Sequence, residues 1–465
     1  AASVPREWSK AAIGASGQPA ELATWWRGFQ DPLLDQLVDQ AVAGNLDLQL
    51  AQARIREARA ARLAAASPLW PDLTGSASAT RFHGRPNPLA SGGSGASIGA
   101  GAAAGAGGGA VVTKNLFQAG LDSSWELDIF GGTRRGIESA SAGLAASIED
   151  QRAGLVSLLS ELALDYIDLR TAQARLQIAR DALTAEEETL ALTRAKLEAG
   201  LGSALDVAEA EAAAATTRAA IPNLQTAARD AIHELSVLIG APPETLASKL
   251  EPSAPIPAMS SRIALGLPAE LLRRRPDIRA AERRVAEANA DIGVAVANQY
   301  PSVTLAGSLG LNATRIGDLG DVSARSWSFG PGVTMPIFNA GKLAAEVDVK
   351  RARWDQAVIA YRATVLTAAR EVEDAIAADE NERVHRAALA QSVAAYRDAL
   401  ALARDLYGRG LTSFLNVLDA ERSLYATQDQ LAQSEAAVSA NEVRLFKALG
   451  GGWTADEATA DARAP

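Results

Sequence analysis

Leucine recurs at strict seven-residue spacing from Leu155 through Leu162, Leu169, Leu176, Leu183 and Leu190 to Leu197. A second line, Val358, Val365, Val372, Val393, Leu400 and Tyr407, keeps the same period, with Asp379 and Arg386 interrupting it. A sustained seven-residue period under-winds an α-helix relative to its natural 3.6 repeat, so both lines predict left-handed coiled coils. After each line comes a glycine-bearing turn. The period then resumes at Val207, Ala214, Ile221, Ala228 and Leu235, and at Val417, Leu424, Leu431, Val438 and Leu445. Two helical hairpins follow. The first arm of one, from Thr133 to Ala199, spans roughly 100 Å at about 1.5 Å per residue. Pro222 lies inside the first returning helix and is expected to kink it. Taken alone, heptads fit a solvent-exposed scaffold.

A different period governs four other runs. In "PSVTLAGSLGLNAT", Val303, Leu305, Leu309 and Leu311 share one face, and Ser302, Thr304, Ser308 and Asn312 share the other. "KNLFQAGLDSSWELDIF" opposes Phe117, Leu121, Trp125, Leu127 and Ile129 to Gln118, Asp122, Ser124, Glu126 and Asp128. "SWSFGPGVTMPIF" puts Trp327, Phe329, Val333, Met335 and Ile337 on one side, and "LTGSASAT" alternates more weakly. Period two predicts strands. Their length reaches the ~9–11 residues of a tilted transmembrane strand, and apolar-out, polar-in alternation is the barrel signature. A half-buried soluble sheet is the alternative for any single run. Against it, the four strands come as two hairpins separated by about 200 residues of helical pattern, and nothing evident covers their apolar faces. An open sheet edge in lipid leaves backbone groups unpaired at several kcal/mol each. Four strands cannot close a barrel, so several chains must share one, and three chains give twelve strands. Pro331 lacks a ladder donor and marks the fourth strand as unusual.

The chain repeats itself. "AGLGSALDVAEAEA" from Ala199 and "RGLTSFLNVLDAER" from Arg409 place Gly200 and Gly410 210 positions apart. "LWPDLTGSASAT" resembles "QYPSVTLAGSLG", "LDIFGG" resembles "MPIFNAG", and "LSVLIG" resembles "LFKALG". An extended segment over 1–40 precedes a first repeat over 41–240. That repeat holds a helix, strands near 72–83 and 114–130, a long helix over 133–199, a turn at 200–203 and a helix over 203–240. A Pro-rich linker over 241–270 leads to a second repeat over 271–450. Its strands lie near 301–314 and 325–338, its long helix over 342–407, its turn at 408–413 and its last helix over 413–450, before a tail over 451–465.

Composition narrows the function. The 465 residues are 48% hydrophobic but only 5% aromatic, an alanine- and leucine-rich bias that suits closely packed helices. A net charge of −10 argues against nucleic acid as a partner. There is no cysteine, and His83, His233 and His385 fall in no ligand spacing, so triads, thiolate chemistry and zinc sites lack their residues. Two methionines cannot make a ladder for soft metals. No catalytic residue, metal or cofactor is expected. The glycine-rich stretch from Ser91 lacks the Gly-Lys-Ser/Thr of a phosphate loop and is expected to be a loop at the hairpin crest. No run of 18 apolar residues predicts a membrane helix.

Several long motifs carry a resemblance. "WWRGFQDPLLDQLVDQAVAGNLDLQLAQARIREARA", "GLPAELLRRRPDIRAAERRVAEANADIGVA", "FGPGVTMPIFNAG" and "LFKALGGGW" are similar to the TolC-like outer membrane efflux proteins. The similarity is to the branch serving resistance-nodulation-division pumps, often lipoproteins, and runs from about Trp25 to Trp453. It implies an α+β membrane protein with an internal repeat. A homotrimer would form a 12-stranded outer-membrane β-barrel, four strands per chain, continued by a long periplasmic α-helical barrel of coiled coils. The implied function is the exit duct of a tripartite multidrug efflux system in a Gram-negative outer membrane, with a gated periplasmic end. Its implied partners are a periplasmic adaptor (membrane fusion) protein, an inner-membrane RND-type transporter and outer-membrane lipid. Protein secretion, metal export and a non-channel periplasmic coiled-coil scaffold or adaptor are the alternatives. Lipid anchoring would need a first-residue Cys, which this sequence does not show.

The resemblance also assigns residues. The hairpin tips at Gly200, Leu201, Gly202 and Ser203, and at Gly410, Leu411, Thr412 and Ser413, would meet the adaptor. Glycine supplies the left-handed conformation that ends a helix, and Ser203 and Ser413 can cap the next. Leu415, Asp419 and Arg422 match the gate, and their four- and three-residue spacing puts them on one helical face. For Asp419 and Arg422 the plain alternative is an exposed ion pair within the chain. Asn416 stands where some relatives carry a further gate acid. Asp206 and Tyr407 match a pair that ties inner to outer helices. Asp122, Glu126 and Asp128, on one strand face, would line the barrel and favour cations, unless they only solubilise.

Overall fold

The computed structural model describes residues 22–84, 112–259 and 274–454. The Ser91 glycine stretch, the ends of the chain and the "GLPAELL" that opens the second-repeat motif lie outside these residues. The helices are α1 (Pro32–Gly44), α2 (Leu46–Ala66), α3 (Gly132–Glu198), α4 (Ala204–Leu238), α5 (Pro276–Ala297), α6 (Lys342–Gly408) and α7 (Phe414–Ala448). The strands are β1 (Asp72–Gly84), β2 (Val112–Leu127), β3 (Ser302–Ala313) and β4 (Arg325–Thr334). Matched elements have matched lengths. Helices α3 and α6 each have 67 residues, and α4 and α7 each have 35. Helix α4 runs on as helix through Pro222.

The chain divides into two compact units. One comprises residues 59–142 and 286–355 and holds all four strands. They form one antiparallel sheet in the order β1-β2-β3-β4. Cross-strand register makes the faces continuous. Gly75, Leu121, Leu309 and Trp327 lie in one row, and Leu73, Ser123, Gly307 and Phe329 in the next. Leu73, Leu121, Leu309, Trp327, Phe329 and Val333 are all exposed. The opposite face is laced by side-chain hydrogen bonds. Gln118 donates to Asn312 at 2.8 Å, Asn312 to Ser326 at 3.0 Å, and Ser308 and Ser328 share one at 2.8 Å. Pro331 sits in β4, the last strand of the sheet within one chain, across from Leu305.

The second unit comprises residues 1–58, 143–285 and 356–465. Its larger core gathers Trp25, Leu34, Leu37, Leu162, Leu169, Leu235, Val372 and Phe446. The Trp25 and Phe446 rings stack at 5.3 Å. A second core nearer the turns holds Val393, Leu400, Tyr407, Phe414, Val417, Leu418 and Leu424. Most heptad positions thus point inward, with Leu197 at the turn end exposed. At the end of α4, Gly240 takes a φ of 75°, and a side-chain carbon there would lie 2.2 Å from the Gly44 carbonyl. Only glycine fits that backbone crossing.

A buried polar cluster ties the Pro-rich linker to α3. The Arg170 guanidinium is fully buried and donates to Gln173 at 2.7 Å, to the Pro252 carbonyl at 2.9 Å and to the Tyr166 hydroxyl at 3.1 Å. Tyr166 donates to Asp31 at 2.6 Å, whose other oxygen caps α1 at the Leu33 amide. Ser439 on α7 donates to the Pro257 carbonyl at 2.6 Å, so the linker is pinned to both repeats.

One acid in this unit makes stability pH-dependent. Burial, then the neighbouring acids Glu234, Glu161 and Asp168, push the Asp165 carboxyl up to about 7 from its ordinary 3.8. A raised carboxyl favours folding while it stays protonated. Its contribution is complete below pH ~4 and is lost as pH rises through about 7. Asp165→Asn is therefore expected to match the parent near pH 4 and to unfold at a higher temperature near pH 8. Thermal unfolding followed by circular dichroism at both pH values checks this. A gap that does not widen with pH removes the effect.

Candidate functional site

Two hairpin turns build the candidate site. Gly200 and Gly410 have φ of 74° and 75°. In each turn the next amide reaches back five residues, Leu201 to the Lys196 carbonyl at 2.8 Å and Leu411 to the Leu406 carbonyl at 2.9 Å. These bonds satisfy carbonyls left free at a helix end, and the left-handed glycine makes them reachable. Leu201 and Leu411 stand exposed at the turns.

The returning helices start differently. Ser203 accepts from the Asp206 amide at 3.1 Å, and the Asp206 carboxylate accepts from the Ser203 amide at 3.3 Å, a complete capping box. Ser413 occupies the same position, but its side chain accepts no capping bond. The expected serine cap is absent: the Asn416 backbone N–H donates to the Ser413 carbonyl at 3.3 Å, and the Asn416 side-chain amide donates to Thr412 Oγ1 at 2.6 Å. Asp206 likewise serves its own helix. The Tyr407 hydroxyl is buried near Asp206 and Thr193 but makes no direct hydrogen bond to Asp206. The Tyr407 ring instead lies 3.7 Å beneath the Lys196 ammonium and packs on Phe414. Lys196 also donates to the Tyr407 carbonyl.

On α7, Val417, Leu418, Glu421 and Leu424 are buried. Leu415, Asn416, Asp419 and Arg422 are exposed on the other side of the helix. Among the described residues, no ion pair joins Asp419 to Arg422. The sequence alone gave no weight to Glu421, which is 1% exposed. It accepts from the Thr189 hydroxyl at 2.8 Å and from Arg404 at 2.7 Å. The repeat carries its signal: Arg404–Glu421 and Arg194–Glu211 are ion pairs of identical spacing across the two turns. Arg175 and Asp429 add a two-pronged pair between α3 and α7, at 2.6 and 3.2 Å.

In the sheet unit, Asp122 and Glu126 lie on the hydrogen-bonded polar face of β2. Asp128 does not. Strand β2 ends at Leu127, and the Asp128 carboxylate accepts from the Thr133 amide at 3.1 Å and the Arg134 amide at 3.0 Å. The Arg134 side chain pairs with it at 3.0 Å. Burial pushes this carboxyl up, but those amides and the guanidinium outweigh burial and hold it below the usual range. Asp128 is the anion that starts α3, so it is withdrawn from the barrel-lining set.

No described helix is long and apolar enough to cross a membrane. The membrane face is the sheet. The outer membrane efflux protein family model matches residues 37–241 and 267–451, one match over most of each repeat. "Nodulation protein T" of Rhizobium leguminosarum bv. viciae is 34% identical over 97% of this chain and 89% of its own length. "Solvent efflux pump outer membrane protein SrpC" of Pseudomonas putida is 32% identical over 98% of this chain and 94% of its own. The solved outer-membrane channel OprN superposes with a TM-score of 0.85 at 38% identity, covering 93% of each chain. The chain belongs to the outer membrane efflux protein family. Its fold is that of the trimeric channels, four strands per chain, and it serves as the outer-membrane exit duct of an efflux system, with a large periplasmic portion.

Proposed function

We propose that this duct closes at its periplasmic end on rings of Leu415, Asp419 and Arg422, three copies of each. The observation that carries the reading is the face of α7: Asp419 and Arg422 are three residues apart and exposed, yet among the described residues no ion pair joins the two. Three-fold symmetry gives each acid a base on a neighbouring copy. An apolar Leu415 ring resists wetting. Asn416, held to Thr412, leaves the constriction without a second acidic ring, and Asp206 and Tyr407 support it by fixing the ends of their own helices. The tips at Gly200–Ser203 and Gly410–Ser413 dock a periplasmic adaptor, with exposed Leu201 and Leu411 as its apolar handholds. An inner-membrane RND-type transporter supplies the cargo.

Asp122 and Glu126, tripled, make the barrel lumen negative. Planar-bilayer recordings test this part. The parent should pass small currents that favour cations, and Asp122→Asn with Glu126→Gln should move the reversal potential in a salt gradient towards zero. Unchanged selectivity in the double variant would remove these acids from the lumen.

A further inference from the structure

The two ends of the sheet's apolar face are unlike. On that face β2 carries Leu127, Trp125, Leu121, Ala119 and Phe117. From Leu127 to Phe117 is roughly 33 Å of strand at about 3.3 Å per residue. A tilt of about 40° turns this into roughly 25 Å, the height of an outer-membrane apolar band. At the helix-bearing end, where α2 leads into β1 and β2 leaves for α3, the band finishes in aromatic rings. Trp70 is exposed, the Trp125 indole donates to the Leu69 carbonyl at 3.1 Å, and the Phe130 and Tyr300 rings stack at 4.8 Å. Such rings suit an ordinary headgroup layer. The far end, away from the periplasmic helices, finishes in bases. Arg81 pairs with Asn115 one step beyond Phe117 on the same face, and His83 pairs with Thr113 one step further. Arg325 opens β4 on this face, in register with Leu311. Arg81, His83 and Arg325 are exposed.

Composition does not explain these bases, because the chain as a whole carries a net charge of −10. Among the described strand residues no acid shares their face: Asp72, Asp122 and Glu126 lie on the other, with Lys114. Asp318 and Asp321 stand in the connection between β3 and β4. Among the described residues no ion pair engages Arg81 or Arg325. We propose that Arg81 and Arg325 bind the phosphate groups of a phosphorylated glycolipid of the outer leaflet, the lipid A class, with His83 as a further donor. A guanidinium grips a phosphate through two parallel N–H···O bonds. Strands β1 and β4 are the outer strands of the four, so closure of the barrel by three copies sets β4 of one beside β1 of the next. Each seam between copies then carries one arginine on either side. Two cations at a seam match a headgroup bearing two phosphates rather than one. Aromatic rings serve the inner leaflet and guanidinium groups the outer, which is the asymmetry of a membrane whose phosphorylated glycolipid lies on one side.

Native mass spectrometry of the detergent-purified trimer, titrated with bis-phosphorylated lipid A, tests the proposal. The parent should retain one lipid A per seam and hold it more tightly than monophosphorylated lipid A or phosphatidylglycerol. Arg81→Gln with Arg325→Gln should weaken retention about 30-fold, and either change alone about 5-fold, the single variants carrying the test if the pair fails to assemble. Arg81→Lys with Arg325→Lys keeps the charge and loses the fork, so its loss should be smaller. Lys114→Gln, on the opposite face, should change nothing. A parent trimer that retains no lipid A, or holds phosphatidylglycerol equally well, overturns the glycolipid assignment. Displacement of lipid A by inorganic phosphate would assign the arginines to small anions and overturn it too. Undiminished retention in trimeric glutamine variants, or an equal loss in Lys114→Gln, overturns the role of Arg81 and Arg325.

Discussion

Replacing Asp419 and Arg422 together by alanine is expected to turn small, flickering currents into larger and steadier ones. The two side chains sit on one exposed face of α7 and are not spent on each other within the chain; in the proposed gate their partners lie on neighbouring copies. A partly exposed pair is worth up to about 1 kcal/mol. Three such pairs around a three-fold axis make about 3 kcal/mol, enough to shift a closed-to-open ratio by roughly 100-fold. Asp419→Ala alone leaves three arginines facing one another and should open the end as well. The reciprocal swap, Asp419→Arg with Arg422→Asp, restores opposite charges across the copies and should recover much of the closure. A double-alanine variant that stays trimeric and conducts no better than the parent would remove these residues from the gate. In the proposed gate the Leu415 ring, untouched in all three variants, sets the residual barrier.

Arg170→Ala is expected to cause the largest loss of stability of any single substitution proposed for this chain. The fully buried guanidinium holds Gln173, Tyr166 and the Pro252 carbonyl together. Its removal strips all three of a donor and leaves a cavity beneath the linker. Breaking a buried charged cluster in this way costs about 3–5 kcal/mol. Tyr166→Phe removes only the hydroxyl between Arg170 and Asp31, and should cost about 1 kcal/mol. Thermal unfolding of both variants in detergent, with limited proteolysis at residues 252–259 as a second reading, checks the order. Equal losses in the two would mean that the guanidinium is not what secures the linker.

Much of this architecture was legible in the sequence because its two periods are so regular. Alternation through Leu121, Trp125, Leu305 and Leu309 gave the sheet face, and seven-residue lines gave the coiled coils. What alternation could not show was where a strand stops. Ile129 keeps the parity of β2, yet the ladder ends at Leu127, where Asp128 turns to cap the next helix. Hydrogen-bond allegiance was equally hidden. Ser413 looks like a cap, but the backbone N–H it would need, that of Asn416, donates to the Ser413 carbonyl instead. Glu421 escaped notice because a buried charge is recognised only with its donors. Those lie on α3 and α6, 232 and 17 residues away.

The equal arms of the two hairpins, 67 residues and 35 residues in each repeat, constrain how such a gene can change. A one-residue insertion in α3 alone would turn every later side chain by about 100° and advance its tip by about 1.5 Å past its counterpart. Only insertions or deletions of whole heptads, made in both arms of a hairpin and copied into both repeats, leave the apolar lines facing inward and the two tips level. Length variation among natural descendants of this duplication should therefore be quantised in sevens and correlated between halves, with loops and linker free of that rule.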